Sequence, residues 1–222
     1  MKPQAILFDL DCTLIDRRKS LHRYAEKFVD DYRAQLDTHD VEATAAFIIK
    51  ADGGGYREES RYRDIATDLN WNSHPTPEEI EEHWWEFTPR AAVPMEGALG
   101  TLRAIFDSEI LLGMVTNGSI RMQSKKIDTL GIASLFKKIV ISEEVGIDKP
   151  DPRIFIEALD GLGVEPECAW FVGDHPEKDI MGAQRLGMRA FWMAGWQEWP
   201  ENLDVPHTTI HSPAELLSFL RE

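Results

Sequence analysis

The chain has 222 residues, 43% hydrophobic and 28% charged, which suits one large globular domain or a core with a smaller insert. Its net charge of −15 argues against a nucleic-acid partner or an anionic membrane surface. No apolar run approaches a membrane span and no basic, apolar leader precedes the first apolar stretch. Cys12 and Cys168 lack metal-type spacing, so a soluble chain in a reducing cytoplasm is expected.

Residues 5–8 form a short apolar run that reads as a buried strand of a parallel sheet. Asp9 and Asp11 stand at its C-terminal end, where open α/β sheets bind ligands. Paired acids there suit a metal or general acid/base chemistry; the plainer alternative is a capped turn. Residues 17–51 read as helical, with Leu21, Tyr24, Phe28 and Tyr32 at helical spacing. Gly53-Gly54-Gly55 breaks this pattern, and a further helical stretch spans 57–69. After a turn-rich segment at 70–77, Thr76, Pro77 and Glu79 predict a capping box opening a helix that stops before Pro89.

Beyond Pro94 the texture alternates. Helical patterns at 97–106, 119–130, 152–163 and 177–186 separate apolar strands at 110–115, 138–141, 169–172 and 190–193. Ser212-Pro213 opens a terminal helix. This is β-α-β repetition, hence an α/β fold, a Rossmann-like doubly wound parallel sheet with helices on both faces. Residues 16–90 contain no convincing strand. They predict an all-helical domain inserted after the first strand, so that 1–15 and 91–222 form the core.

Further polar groups follow the later strands. Thr116-Asn117-Gly118-Ser119 opens a helix and can present a hydroxyl and backbone N–H groups to an anion, or simply cap the helix. Lys149 precedes Pro150, which keeps it out of the helical region on a stiff loop. Alternatively it is a solvated lysine. Asp174 ends a strand and Asp179 lies near the start of the next helix, where each also serves as a cap or a favourable charge. Brought to one sheet edge, Asp9, Asp11, Asp174 and Asp179 repel strongly. A divalent cation together with Lys149 relieves that repulsion, and the cations attract an anionic group. The set describes phosphate chemistry.

In this order, D-x-D-x-T, T-N-G-S, K-P and G-D-x-x-x-x-D resemble the haloacid dehalogenase (HAD) superfamily of hydrolases over essentially the whole chain. The helical insert resembles the cap of members that carry one between the first two motifs. The resemblance implies Asp9 as the nucleophile forming an aspartyl-phosphate, and Asp11 as general acid and then general base. It implies Thr116, Asn117 and Gly118 as phosphate binders and Lys149 as a charge partner of Asp9. A Mg²⁺ ion would be held by Asp9, Asp11 (through its carbonyl), Asp174 and Asp179. Asp11 distinguishes phosphatases and phosphomutases from the dehalogenases, which lack an acid there. A phosphatase acting on a small phosphorylated metabolite is expected, as a monomer or homodimer. A phosphomutase is the near alternative, and a non-catalytic metal-binding module is an alternative of a different class.

Two positions depart from the family pattern. Cys12 replaces the usual glycine and is expected to avoid positive φ. His175 replaces Ser or Thr and either fills a turn or touches substrate. Lys50, Gly53, Gly54, Gly55, Arg57 and Arg61 around the glycine break are candidate substrate contacts, or a loop with solvated charges. Trp84 and Trp85 are expected to pack a helix core, and Trp196 and Trp199 to rim the site or to pack.

Overall fold

The computed structural model describes residues 2–55, 57–203, 206 and 208–221. The chain divides into two compact units, Met1–Asp16 with Pro94–Glu222, and Arg17–Val93.

The first unit holds β1 (Ala5–Phe8), and the second holds α1 (Arg17–Asp31), α2 (Val41–Asp52), α3 (Glu58–Asp68) and α4 (Pro77–Phe87). The first unit resumes with α5 (Ala98–Asp107), β2 (Leu111–Thr116), α6 (Ile120–Leu130), β3 (Lys138–Ile141), α7 (Ser142–Val145) and α8 (Pro152–Leu162). It ends with β4 (Ala169–Gly173), a π-helical turn at Pro176–Met181, α9 (Gly182–Gln184), β5 (Arg189–Met193), β6 (Thr209–Ile210) and α10 (Leu216–Phe219).

The six strands are parallel in the order β3-β2-β1-β4-β5-β6. All four residues of β1 are fully buried, which requires cover on both faces of the sheet. On the face that carries Leu7 and Phe171, α8 supplies Ile154, Phe155, Ala158 and Leu159 to the core. On the opposite face Phe191 packs edge-on against Phe219 of α10 at 5.2 Å and lies tilted against Trp170 at 4.9 Å. From β1 the chain adds β2 and β3 on one side, then β4 to β6 on the other. The switch point therefore lies between β1 and β4, where Phe8 pairs with Val172.

Helix limits follow local chemistry. Asp151 accepts the Arg153 N–H ahead of Pro152, and Gly163 closes α8 in the left-handed region. The 177–186 helix expected from sequence is instead a π-helical turn leading into a short α-helix. The strand β6 and the short α7 carry too few residues to show a periodicity.

In the helical unit, the continuous helical stretch expected over 17–51 is two helices. The chain turns after Asp31, and Asp40 starts α2 afresh by accepting the Ala43 N–H. The capping box of α4 forms as its residues predict, with Thr76 and Glu79 exchanging hydrogen bonds. An aromatic cluster fills this unit. Tyr24 donates to or accepts from His83 Nδ1 at 2.9 Å and packs edge-on against Trp84, while Phe28 packs against Tyr32 and Trp71. Trp84 is buried in this core; Trp85 donates from its indole to Glu81 at its margin. In the sheet unit Trp199 packs edge-on against Trp192. Among the described residues no helix is long and apolar enough to cross a membrane.

Candidate active site

The site is built where β1 and β4 end side by side. Asp9 directly follows β1, and its N–H donates to Val172 O at 2.9 Å, which locks the loop to the sheet. Asp174 directly follows β4 and is buried. Asp179 comes back on the π-helical turn, over Gly173. A Cβ at Gly173 would stand 2.5 Å from the Asp179 carboxyl group, so only glycine permits this approach. One carboxylate oxygen from each of Asp9, Asp174 and Asp179 lies within 4.8 Å of the other two, and all three residues are buried. At that separation two full charges repel by about 3–4 kcal/mol even at an effective dielectric constant of 20.

One ammonium faces the three acids. Lys149 Nζ donates to Asp9 Oδ1 at 2.6 Å and forms an ion pair with Asp179 Oδ1 at 2.7 Å. The second contact lacks hydrogen-bond alignment, and Asp179 Oδ1 receives no hydrogen bond from any described residue. The balance shows in the titration of the groups. Burial pushes the Asp9 carboxyl up to about 7, with Lys149 pulling it down and Asp179 pushing it further up. Asp174 is held well above the usual carboxylate range, first by burial and then by Asp179 and Asp9. Burial works against the Lys149 charge, but Asp179 and Asp9 outweigh it and hold the ammonium above the ordinary lysine range. Three clustered carboxylates with one cation and an orphaned oxygen form a hard-oxygen donor set that fits a small divalent ion.

Lys149 does not follow a strand directly; α7 intervenes after β3. Asn117 fixes it, accepting the Lys149 N–H through Oδ1 at 2.8 Å and donating from Nδ2 to Lys149 O at 3.1 Å. The Asn117 side chain thus ties two loops together, while the anion-binding role expected at this position concerned backbone N–H groups. The Gly118 N–H donates to Ser142 Oγ at 3.0 Å. Its φ is 137°, and a Cβ there would stand 3.2 Å from the Gln123 side chain, so the position favours glycine twice over. Thr116 is buried at the end of β2, with its hydroxyl accepting from Gln123 Nε2 at 2.6 Å.

Asp11 stands apart from the three clustered acids. Its Oδ2 accepts from Lys126 Nζ at 2.6 Å and Gln123 Nε2 at 3.0 Å. Sequence reading missed both partners. On a helix that opens on Ser119 they pass for its polar face. The signal available was phase: Gln123, Lys126 and Ile127 share the i, i+3, i+4 stripe that α6 buries.

Cys12 adopts φ 61°, against the expectation that cysteine avoids this region. Cysteine here takes a left-handed conformation that glycine adopts at less cost. His175 fills a turn, its Nδ1 accepting the Glu177 and Lys178 N–H groups while its own N–H donates to Asp179 Oδ2.

In the helical unit Arg61 is one of the candidate substrate contacts. It is buried, paired with Asp52 Oδ1 at 2.9 Å and bonded to Gly55 O at 3.1 Å. Its length and planarity suit it to hold this turn. Arg57 is exposed and donates to Asp64, and Lys50 and Gly54 are exposed.

A doubly wound sheet that gathers acids and a lysine at its carboxyl edge, across the switch point, has the layout of an α/β enzyme. A family model described as haloacid dehalogenase-like hydrolase matches residues 6–193, and the chain belongs to that family. It is 44% identical over 133 residues to a glyceraldehyde 3-phosphate phosphatase of Methanopyrus kandleri, covering 58% of this chain and 57% of that protein, so the match spans little more than half of the relative. It is 31% identical over 193 residues to a glyceraldehyde 3-phosphate phosphatase of Pyrococcus furiosus, covering 85% of this chain and 80% of the relative. The crystal structure of the HAD-hydrolase YfnB of Bacillus subtilis, bound to magnesium, matches with a TM-score of 0.75 at 22% identity, over 100% of both chains, a likeness of fold.

Proposed function

We propose that the chain is a magnesium-dependent phosphatase that hydrolyses a small phosphorylated metabolite through an aspartyl-phosphate on Asp9. The observation that carries this reading is the buried Asp9–Lys149 pair at 2.6 Å inside a cluster of three carboxylates. A carboxylate held this way at the α/β switch point suits a fixed nucleophile, and phosphoryl transfer asks of the protein little beyond positioning and charge.

Asp9 forms a bond to phosphorus as the bond to the leaving oxygen breaks. Asp11 gives its proton to that oxygen, so the product leaves as an alcohol. Asp11, now a carboxylate, takes a proton from the water that attacks phosphorus; the Asp9–phosphorus bond breaks, releasing inorganic phosphate and restoring Asp9. Thr116 accepts from Gln123, so its own hydroxyl proton is directed to a phosphoryl oxygen. Lys149 holds Asp9 and offsets the charge of the incoming phosphate. Asp9, Asp174, Asp179 and the Asp11 carbonyl would hold Mg²⁺, which would supply the positive charge that favours ionised Asp9 and offsets that of the phosphoryl group.

The names of the two relatives support a phosphorylated three-carbon aldehyde as the first substrate to try. The test is phosphate release from p-nitrophenyl phosphate and glyceraldehyde 3-phosphate, with Mg²⁺ and with chelator. Turnover should require Mg²⁺, and Asp9→Asn should lower it by roughly 10³-fold or more. Full activity of that variant, or of the chelated enzyme, overturns the reading. A sugar phosphate isomerised without phosphate release moves the chain to the phosphomutases.

A further inference from the structure

Helix α6 turns two polar side chains inward, of which the roles above use only the contact of Gln123 with Thr116 and leave Lys126 without a task. Gln123 is 2% exposed and Lys126 is 9% exposed. Taking an ammonium out of water is costly and persists only with good partners. Lys126 Nζ lies 2.6 Å from Asp11 Oδ2 and 2.8 Å from Gln123 Oε1. Gln123 Nε2 in turn reaches Asp11 Oδ2 at 3.0 Å, Thr116 Oγ1 at 2.6 Å and Asn117 O at 3.3 Å.

Donor chemistry fixes the orientation of the Gln123 amide. An ammonium only donates, so the atom facing Lys126 is the amide oxygen, and Nε2 therefore points to Asp11 and Thr116. Two consequences follow. Asp11 Oδ2 already receives hydrogens from two donors, so the oxygen assigned to proton transfer in the proposed step is Oδ1. The same Nε2 also touches the Thr116 hydroxyl, so the proton-donating carboxyl and the phosphoryl-binding hydroxyl are held at one spacing by one rigid group.

The geometry points to Lys126, acting with Gln123, as a positioning residue that grips one oxygen of Asp11 so that the other delivers the proton to the leaving oxygen. This rests on the phosphatase reading and names a part of its machinery that the four motifs do not contain. The effect is confined to leaving groups that need a proton. An alkoxide needs one, whereas dinitrophenolate leaves as a stable anion.

The experiment measures kcat and KM of the wild type and of Lys126→Met on an alkyl phosphate and on 2,4-dinitrophenyl phosphate, both with Mg²⁺. The variant should lose roughly 10–100-fold in kcat on the alkyl ester and no more than about threefold on the dinitrophenyl ester, with KM little changed. Lys126→Arg, which keeps a charged donor, should recover part of the loss. Equal losses on both esters, or no loss on the alkyl ester, overturn the inference. Melting temperature confirms folding, and if the Met variant does not fold, Lys126→Gln carries the same comparison. A wild type that turns over neither ester removes the phosphatase reading itself, a separate result.

Discussion

Each of the two units buries carboxylates, and they treat them in opposite ways. In the helical unit the single carboxylate of Asp52 sits between two guanidiniums: Arg17 Nε at 2.7 Å and Nη2 at 2.8 Å, and Arg61 Nη1 at 2.9 Å. At the sheet edge three carboxylates share one ammonium. The first arrangement is complete in itself and holds the Gly53–Gly55 turn closed onto α1 and α3. The second is left short of positive charge, which is the condition for attracting a cation and an anion from solution.

The comparison breaks most readily at Asp52. Asp52→Leu leaves two guanidiniums facing an apolar side chain, and should cost about 3–5 kcal/mol, read as a drop of roughly ten degrees in melting temperature. A drop of a degree or two would show that the helical unit does not depend on this pair.

The sheet edge should answer in the opposite direction. A carboxyl whose pKa is raised by folding favours the fold while protonated. For Asp9 that benefit is complete below about pH 4 and lost as pH rises through about 7. The full excursion corresponds to about 4 kcal/mol. Because Asp9→Asn also takes a partner from Lys149, its net gain is smaller, on the order of 2 kcal/mol at pH 8 in chelator. The variant should therefore melt above the wild type at pH 8 in chelator, by a margin that shrinks towards pH 4. Added Mg²⁺ should reverse the order at pH 8 by stabilising the wild type, with its full set of acids, more than the variant. A margin independent of pH would place the strain elsewhere.

The smallest effect concerns Cys12. Its left-handed backbone costs a non-glycine residue roughly 1–2 kcal/mol, part of which glycine returns as freedom of the unfolded chain. Cys12→Gly should raise the melting temperature by no more than a few degrees, with turnover kept. A clear fall would mean that packing of the buried thiol outweighs the backbone.

Much of the site could be read from residues alone because Asp9, Asp174 and Thr116 end apolar strands. Strand ends in a parallel sheet are forced to one edge by the right-handed crossovers. What escaped reading had no such anchor. Gln123 and Lys126 are polar residues on a helix, and only burial separates them from a solvated face. The Asn117 side chain and the Gly118 N–H have tertiary partners 24 to 32 residues away, which no local pattern reveals. Arg61 looked available because its counterion, Asp52, lies on another helix. The π-helical turn at Pro176–Met181 hides within an ordinary helical composition, and its extra residue per turn brings Asp179 back over Gly173.

The place where the helical segment leaves and re-enters the sheet unit has its own consequence. Ile15 bridges Pro94, and the Met95 N–H donates to Leu14 O at 2.8 Å, so the two ends of the interruption are already sutured together. Whatever is spliced in at this seam begins and finishes at nearly one point, and lengthening it adds little entropy of closure. The intervening 77 residues, from Arg17 to Val93, are thereby open to wholesale exchange over evolutionary time while the aspartates around β1 stay in register.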